Sequence, residues 1–200
     1  RRGPVADEAE WSAWEEILAR AGLMLDVRRR ALCEELSGQI RSLGSEVDRE
    51  LKPELQYPDA DRDSSGEADT VERRIERLAR SRAADRRVGW TMDGPHRARL
   101  RCAIGGEELS DGASRGYSRL YSILLRLALA RVFEERRSDP PVVLLDDPES
   151  ELDPRWIGRL LRLVPESSQA IVTACRDLSE MPAKFRRIPI EWGALMRSAA

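Results

Sequence analysis

An apolar run that ends in two carboxylates is the feature of this sequence with the clearest chemical meaning. Residues 142–145 read Val-Val-Leu-Leu, and Asp146 and Asp147 follow directly. A buried strand of a parallel sheet delivers the residues after its carboxyl end to the crevice where such sheets bind ligands. Because Mg²⁺ on a nucleotide needs only one or two protein carboxylates, the run predicts a Walker B element. In that arrangement Asp146 faces the metal and Asp147 faces the attacking water.

The segment after the two carboxylates has two interpretations. Residues 150–153 read Ser-Glu-Leu-Asp, which is similar to the D-loop of the ATP-binding-cassette class and assigns Ser150 and Asp153 to that loop. Asp153 followed by Pro154 is also an ordinary helix start, with Asp153 as the N-cap residue. For the carboxylates themselves, the alternative is a plain strand end followed by an acidic turn.

Small residues open a long helix upstream of the strand. Ser114, Arg115 and Gly116 precede an apolar helical segment that runs from Tyr117 to Arg136. A helix start exposes backbone N–H groups and the positive end of the helix dipole, which favours an anion. An isolated Ser-x-Gly is more typical of a turn. At this interval before the strand it resembles the signature loop, which in the ATP-binding-cassette class contacts a γ-phosphate held by the opposite subunit.

The chain lacks the motif that would cradle the phosphates. A phosphate loop reads G-x-x-x-x-G-K-[ST], and its lysine reaches the β- and γ-phosphates. The lysines of this chain are Lys52 and Lys184, and neither follows a glycine. The sequence therefore predicts that the chain does not hold ATP by itself.

The first part of the chain, residues 1–90, predicts an antiparallel helical arm. Apolar residues recur at three- and four-residue spacing up to Pro53, and the narrow stripe that they form suits packing against one partner helix. Residues 59–69 are polar and acidic and indicate a loop, after which Thr70 can cap a second helix. The stripe begins with Trp11, Trp14, Ile17, Leu18, Ala21 and Leu25.

The second part, residues 91–200, predicts an α/β domain with a mostly parallel sheet covered by helices. Gly105 and Gly106 indicate a hairpin turn. The apolar runs at 142–145 and 170–173 predict strands buried on both faces, and the helix between them predicts a parallel pair. Without further strands, such a sheet would leave an open edge and exposed apolar surface.

These motifs occur together in the order found in the RecF family. Gly94-Pro95-His96-Arg97 comes first, then the hairpin, the signature-like loop, the paired carboxylates and the D-loop-like segment. The Gly-Pro-His element separates RecF from Rad50 and from the structural-maintenance-of-chromosomes proteins, whose heads share the other motifs. The resemblance covers nearly the whole chain but only the C-terminal half of a RecF. It implies an antiparallel helical arm followed by the C-terminal part of an ABC-type ATPase head.

Three positions depart from the family pattern or mark a variant of it. Tyr117 stands where the signature usually continues with Gln, and Arg99 stands near a place where an acidic residue is common. Thr173, not His, occupies the switch position after the second strand, as RecF-like heads accept.

The resemblance implies an ATP-gated DNA clamp. In the complete protein, two copies would close around ATP and Mg²⁺, bind DNA at single-strand/double-strand junctions, and help load recombinase at gaps together with RecR and RecO. Asp147 would be the catalytic carboxylate and Asp146 the metal ligand. His96 and Arg97 would belong to a possible site loop, although a structural hydrogen bond is the alternative for His96.

Two other functions remain open at the level of sequence. The missing phosphate loop and Tyr117 favour a non-catalytic remnant or interaction module of a split RecF-like protein. A head fragment of a Rad50-like or chromosome-structural ATPase is the third possibility.

Composition adds little on partners, since the formal net charge is -2. Arg28-Arg29-Arg30 and a second strip predict either a solvated, salt-bridged face or a contact with the DNA backbone. Few and widely spaced cysteines indicate reduced thiols in a cytoplasmic protein, and no apolar run is long enough for a membrane span. The second arginine strip comprises Arg73, Arg74, Arg77 and Arg80.

Overall fold

The computed structural model describes residues 7–57, 69–137, 140–150, 152–176, 178, 181–191 and 194–195. Its helices are α1 (Glu8–Val47), α2 (Val71–Val88), α3 (Arg115–Arg137) and α4 (Pro154–Arg162). Its strands are β1 (Pro53–Gln56), β2 (Arg101–Ile104), β3 (Glu107–Glu108), β4 (Val143–Leu145), β5 (Ala170–Val172), β6 (Ile190–Glu191) and β7 (Ala194–Leu195). Within these ranges, no helix combines the length and hydropathy that a bilayer span requires. Residues 59–68 of the predicted acidic loop lie outside them.

The strands form three small sheets. β1, β2 and β3 pair antiparallel, with Leu55 opposite Cys102, and the predicted hairpin turn is confirmed between β2 and β3. Gly105 and Gly106 have φ angles of 60° and 86°, which glycine adopts without the steric cost of a Cβ. β4 and β5 form the predicted parallel pair, in which Leu145 lies opposite Val172. β6 and β7 form a further antiparallel hairpin, which the sequence analysis did not predict.

Side-chain caps fix where the helices begin. Thr70 accepts a hydrogen bond from the backbone N of Arg73 at 3.3 Å, which confirms its predicted role at the start of α2. Asp153 accepts from the backbone N of Arg155 at 3.0 Å, and Pro154 is the first residue of α4, as predicted. A cap oxygen satisfies an N–H that has no partner inside the helix, so these ends are set by local sequence.

The apolar core is built by the carboxyl half of α1 (residues 33–47), β1, α3 and α4. α1 therefore extends from the predicted arm into the head and contributes to its core. Burial of aliphatic side chains is the main favourable term for this part of the fold. Side chains with almost no exposed surface include Ile40, Leu43, Leu120, Leu124, Leu127 and Leu161.

The amino half of α1 (residues 8–30) packs antiparallel against α2 through charged residues. Glu15 pairs with Arg82 at 2.6 Å, and Asp26 pairs with Arg74 at 2.7 Å. These contacts run in opposite directions along the two helices, which agrees with the antiparallel arm predicted from the sequence. The buried residues of this half are Glu15, Ala19, Gly22 and Asp26.

The predicted apolar stripe is wrong for this half of α1. Trp14, Ile17 and Leu25 are exposed, with 62% of Trp14 accessible. The physical reason is that α2 presents arginines to α1, and buried carboxylates can be paired with them. A helix face that offers acids to these arginines is therefore buried in preference to the apolar face.

The expectation that β4 and β5 are buried on both faces is also wrong for one face. Leu145 is buried, but Leu144 is 68% exposed and Ile171 is 53% exposed. Both strands are edge strands of a two-stranded sheet. The exposed face agrees with the expectation that a sheet without further strands leaves apolar surface uncovered.

Candidate functional site

The parallel pair brings two of the predicted motifs together at one edge. Because β4 and β5 end in register at Leu145 and Val172, the residues that follow them are neighbours. Thr173 Oγ1 donates a hydrogen bond to Asp146 Oδ1 at 2.5 Å and accepts one from the backbone N of Asp147 at 3.1 Å. The predicted switch residue thus contacts both predicted carboxylate positions.

Asp147 adopts an unusual backbone conformation. Its φ is 42°, and among the described residues it is the one non-glycine residue with a positive φ. Aspartate tolerates this left-handed region better than most residues, yet the conformation still costs on the order of 1 kcal/mol. Strained residues persist where neighbours hold them, which is frequent at functional sites. Here the neighbours include Thr173 and Ser150, whose backbone N donates to the carbonyl of Asp147 at 3.1 Å.

Arg119 was missed in the sequence analysis and joins α3 to the strand end. Its Nη2 donates to the carbonyl oxygen of Asp146 at 2.8 Å and to that of Asp147 at 3.5 Å. Its Nε is buried without a hydrogen-bond partner among the described residues. Arg119 lies four residues after Arg115, so one turn of helix separates it from the signature-like loop. This spacing places Arg119 on the same helix face as Arg115 and was the available sequence signal for its position near the site.

Ser114 forms the start of α3 and is exposed. Its Oγ accepts a hydrogen bond from the backbone N of Tyr117 at 3.3 Å, which is an N-cap contact. Arg115 is exposed and Gly116 is half-buried. The Tyr117 ring lies 5.6 Å from that of Trp156 in α4, beside a groove of about 410 Å³ that Ser114 also lines. In the described chain no hydrogen bond joins Ser114 to the two carboxylates. The link between α3 and the strand end is made by Arg119, which donates to the backbone carbonyls of Asp146 and Asp147.

The D-loop-like segment connects the strand end to α4. Ser150 is exposed, Leu152 is buried, and Asp153 caps α4. Glu151 lies outside the described residues. The capping role of Asp153 is observed, whereas the D-loop roles of Ser150 and Asp153 stay predictions.

The Gly-Pro-His loop is docked on α1. His96 Nε2 lies 3.0 Å from the carbonyl oxygen of Thr91, and Arg97 Nε donates to the carbonyl of Met92 at 3.3 Å. Arg29 Nη1 reaches from α1 to the carbonyl of Pro95 at 2.6 Å. In the described chain the side-chain hydrogen bonds of His96 and Arg97 stay within this loop, so a structural bond is what the geometry shows for His96.

The second arginine strip is salt-bridged, as one of its two interpretations predicted. Arg74 pairs with Asp69 at 2.5 Å as well as with Asp26. Arg77 pairs with Asp69 at 2.9 Å and with Asp93 at 3.2 Å. The innermost pairs are buried and not solvated, because α1 covers them.

Glu149 and Cys175 were also missed. Glu149 is 7% exposed, and its Oε1 accepts the backbone N–H of Cys175 at 2.7 Å. Burial alone would raise the pKa of Glu149, but the nearby backbone N–H groups of Glu149, Cys175 and Arg176 lower this pKa below its ordinary value. Hydrogen bonding with Glu149 raises the pKa of the Cys175 thiol, and so do partial desolvation and the nearby negative charges. Both residues follow predicted parallel strands within four positions, and this placement was the available sequence signal for the pair.

The residues at the strand end fit a hard divalent cation. Mg²⁺ prefers carboxylate oxygen and water. Asp146 supplies a carboxylate, and Thr173 holds one of its oxygens in place. Asp147, one residue further along the chain, is oriented separately by its left-handed backbone. The arrangement can therefore hold a metal ion on one carboxylate while a second carboxylate is available to a water molecule.

No family model matches the chain. The DNA replication and repair protein RecF of Symbiobacterium thermophilum is 33% identical over 202 residues, which covers 96% of this chain and 54% of that protein. The solved structure of the recombination mediator protein RecF-ATPrS in the RecFOR pathway has a TM-score of 0.68 at 27% identity. The match covers 90% of this chain and 48% of the RecF chain in that structure.

A second solved structure comes from work on ATP-driven dimerization and DNA-stimulated activation of SMC ATPases. It has a TM-score of 0.52 at 15% identity, and the match covers 86% of each chain. This is a likeness of fold alone. The predicted fold class, a portion of an α/β ATPase head, is confirmed by these structural neighbours. The chain spans about half the length of the curated relatives that it matches, 54% of the one named above. In sequence and in fold, the chain is similar to about half of a RecF protein, which agrees with the predicted resemblance to the C-terminal portion of RecF.

Proposed function

We propose that this chain supplies the hydrolytic carboxylates and the signature loop of a RecF-type, ATP-dependent DNA-repair protein. The observation that supports this most directly is the contact of Thr173 with Asp146 and Asp147 at the carboxyl ends of β4 and β5. A plain strand end would not need a threonine that links two acidic residues from the neighbouring strand. The sequence relation to DNA replication and repair proteins named RecF points the same way.

The proposed roles of these residues follow from their positions. Asp147 orients the attacking water, and Asp146 holds Mg²⁺, which supplies neutralisation of the phosphate charge when it is bound with ATP. Ser114, Arg115 and Gly116 present the start of α3 to nucleotide held by a second copy. Thr173 hydrogen-bonds to the carboxylate of Asp146 and to the backbone N–H of Asp147, so its loop helps to hold both acidic residues at the strand end.

For the complete protein we propose an ATP-dependent homodimer that acts on DNA in the cytoplasm. It would bind single-strand/double-strand junctions and help load recombinase at gaps with RecR- and RecO-like partners, in repair, replication and the SOS response. The likeness to the recombination mediator RecF-ATPrS in the RecFOR pathway covers 90% of this chain, which supports the proposal. Residues 1–90 as an arm and 91–200 as the head portion stay a prediction. His96 and Arg97 stay candidates for a site loop.

The carboxylates are tested in a complete protein that also carries a phosphate loop. Asp147→Asn is expected to lower ATP turnover by about a hundredfold or more, because a water-orienting carboxylate is lost, while ATP binding stays. Asp146→Asn is expected to weaken nucleotide affinity in the presence of Mg²⁺ and to leave it unchanged without Mg²⁺. Asp111→Asn, an exposed site on another loop, is the matched control. Unchanged turnover in the Asp147 variant would refute the assignment.

The signature loop is tested by dimerisation. Ser114→Arg places a bulky cation at the start of α3, so it is expected to leave ATP binding to one copy intact but to prevent ATP-dependent dimers. Sedimentation velocity of the complete protein, with and without a non-hydrolysable analogue, measures this. Ser110→Arg, an exposed residue before the loop, is the control. A normal nucleotide-induced dimer in the Ser114 variant would place Ser114 outside the interface.

A non-catalytic interaction module is the second candidate, and the missing phosphate loop favours it. Titration of a labelled ATP analogue into this chain bears on both proposals, because the chain by itself is expected not to bind ATP. Magnesium-dependent binding at micromolar concentration would contradict that expectation. If a complete protein binds ATP but never hydrolyses it, the module is the better description.

A further inference from the structure

Asp147, Glu149 and Cys175 present a mixed oxygen and sulfur set at the ends of β4 and β5. One carboxylate oxygen of each acid and the Sγ of Cys175 lie within 4.8 Å of one another. Asp147 and Glu149 are two residues apart on one loop, and Cys175 lies two residues after Thr173 on the other. The proposed hydrolysis uses Asp147 but neither Glu149 nor Cys175, so these two side chains have no assigned role.

The burial of Glu149 is an independent sign that the cluster binds a ligand. Glu149 is 7% exposed, and its Oε2 has no hydrogen-bond partner among the described residues. Its Oε1, in contrast, accepts the backbone N–H of Cys175 at 2.7 Å. Leaving a buried carboxylate oxygen without a partner is costly, and a cation in the cluster would supply the missing contact.

We propose that Asp147, Glu149 and Cys175 bind one divalent transition-metal ion of the zinc class, with water as the fourth ligand. A thiolate selects such an ion over Mg²⁺, whose preferred ligands are oxygens. Tetrahedral bonds of about 2.3 Å to sulfur and about 2.1 Å to oxygen place the ligand atoms roughly 3.5 Å apart. Since the ligand atoms lie within 4.8 Å of one another, the cluster needs to close by at most about 1.3 Å.

The coordination step is balanced in protons and charge. The S–H bond of Cys175 breaks, its proton passes to solvent, and the sulfur electron pair forms the bond to the metal. The metal exchanges two of its bound waters for one oxygen of Asp147 and one oxygen of Glu149. Cys175 is exposed, which gives the ion a path from solvent.

Two of the three ligands are held in place before any metal arrives. Thr173 Oγ1 accepts the backbone N–H of Asp147 at 3.1 Å, and Glu149 accepts that of Cys175. Outer contacts of this kind orient ligands and raise metal affinity. The site goes beyond the proposed ATPase function and does not depend on it. A bound ion would nevertheless engage Asp147 and so compete with the proposed role of that residue in hydrolysis.

The experiment measures metal binding to the chain without nucleotide. Co²⁺ is titrated while near-ultraviolet absorption is recorded, because a cobalt–thiolate bond gives a charge-transfer band there. The expected result is one equivalent of bound Co²⁺ with such a band, which Zn²⁺ abolishes by displacement and excess Mg²⁺ does not. Calorimetric titration with Zn²⁺ gives the affinity.

Variants decide whether these side chains form the site. Cys175→Ser should remove the charge-transfer band and weaken Zn²⁺ binding by at least about tenfold, and Glu149→Gln should weaken it by a similar factor. Cys102→Ser and Asp111→Asn should leave binding unchanged, and circular dichroism checks that each variant is folded. A titration without a thiolate band, a band that survives Cys175→Ser, or displacement by Mg²⁺ would overturn the proposal. Because Cys175 is exposed, its variant decides the question even if Glu149→Gln does not fold.

Discussion

The two halves of α1 are held to the molecule by different interactions. The carboxyl half places Ile40 and Leu43 in an apolar core, where they are fully buried. The amino half buries Glu15 and Asp26 against arginines of α2, and its apolar residues such as Trp14 face outward. One continuous helix therefore passes from an aliphatic environment into an ion-paired one.

This difference teaches which substitutions each half should tolerate. Loss of an aliphatic side chain costs in proportion to the contacts removed. Loss of one member of a buried ion pair costs more than the pair contributes, because the remaining charge stays buried without a partner. The contact between the amino half of α1 and α2 should therefore depend on a few charged residues. The stability of the apolar core should instead fall gradually as aliphatic side chains are removed.

Arg74→Met is the substitution with the largest expected effect. It leaves the carboxylates of Asp26 and Asp69 buried without their shared guanidinium, which now lies 2.7 Å and 2.5 Å from them. We expect the free energy of unfolding to fall by about 4 kcal/mol, measured by urea denaturation. Arg80→Met on the same helix is the control, with a change of at most about 0.5 kcal/mol, since its pair with Glu76 is exposed. Equal losses in both variants would contradict the comparison.

Leu43→Ala tests the apolar half. Leu43 is fully buried in the core, so we expect a loss of about 3 kcal/mol in the free energy of unfolding. Val27→Ala in the amino half removes methyl groups from an exposed position and should change stability by less than about 0.5 kcal/mol. The same urea titration serves for both, and a larger effect at Val27 would reverse the assignment of buried faces.

Tyr57→Phe tests the edge of the ion-paired contact between α1 and α2. The Tyr57 hydroxyl donates to Asp26 Oδ1 at 2.5 Å, so its removal should cost about 1 kcal/mol at neutral pH. Burial, and then this hydrogen bond, raise the pKa of Tyr57 above its ordinary value of 10.0. A raised pKa in the folded state contributes stability below pH 10.0 that is lost as the pH rises through the folded value.

The difference in stability between Tyr57→Phe and the unmodified chain should therefore shrink above pH 10. Urea titrations at pH 7 and pH 11 measure this difference, and Tyr117→Phe on the head is the matched control. If the difference in stability stays constant or grows at alkaline pH, the Tyr57 phenol does not belong to the ion-paired contact between α1 and α2.

Trp14→Ser has the smallest expected effect. Because Trp14 is exposed on the outer face of α1, the free energy of unfolding should change by no more than about 0.5 kcal/mol. A loss above about 2 kcal/mol would show that the apolar stripe of the amino half is buried in solution. That result would remove the contrast between the two halves.

Local chemistry made much of the fold predictable from the sequence. Thr70 and Asp153 cap helices because their side-chain oxygens satisfy N–H groups a few residues away. Gly105 and Gly106 form the predicted turn because their φ angles favour glycine. The apolar run before Asp146 forms a strand, as its composition predicted, and the order of the motifs predicted the likeness to RecF.

Part of the candidate site was also predictable, because parallel strands in register end at the same edge. Asp146 and Asp147 follow β4 and Thr173 follows β5, so their proximity is a direct consequence of the parallel pairing of the two strands. The roles of these residues, and the action of Ser114 on a second copy, stay predictions.

Only the tertiary structure decided which face of α1 is buried and which residues meet at the strand ends. Periodicity predicts a helix and a stripe, but it does not say whether the neighbour brings leucines or arginines. Arg74 and Arg82 made the acidic face of the amino half the buried one. Glu149 and Cys175 are likewise 26 residues apart and meet because the paired strands bring their loops together. Such contacts depend on the partner that distant sequence supplies, and no local pattern encodes that partner.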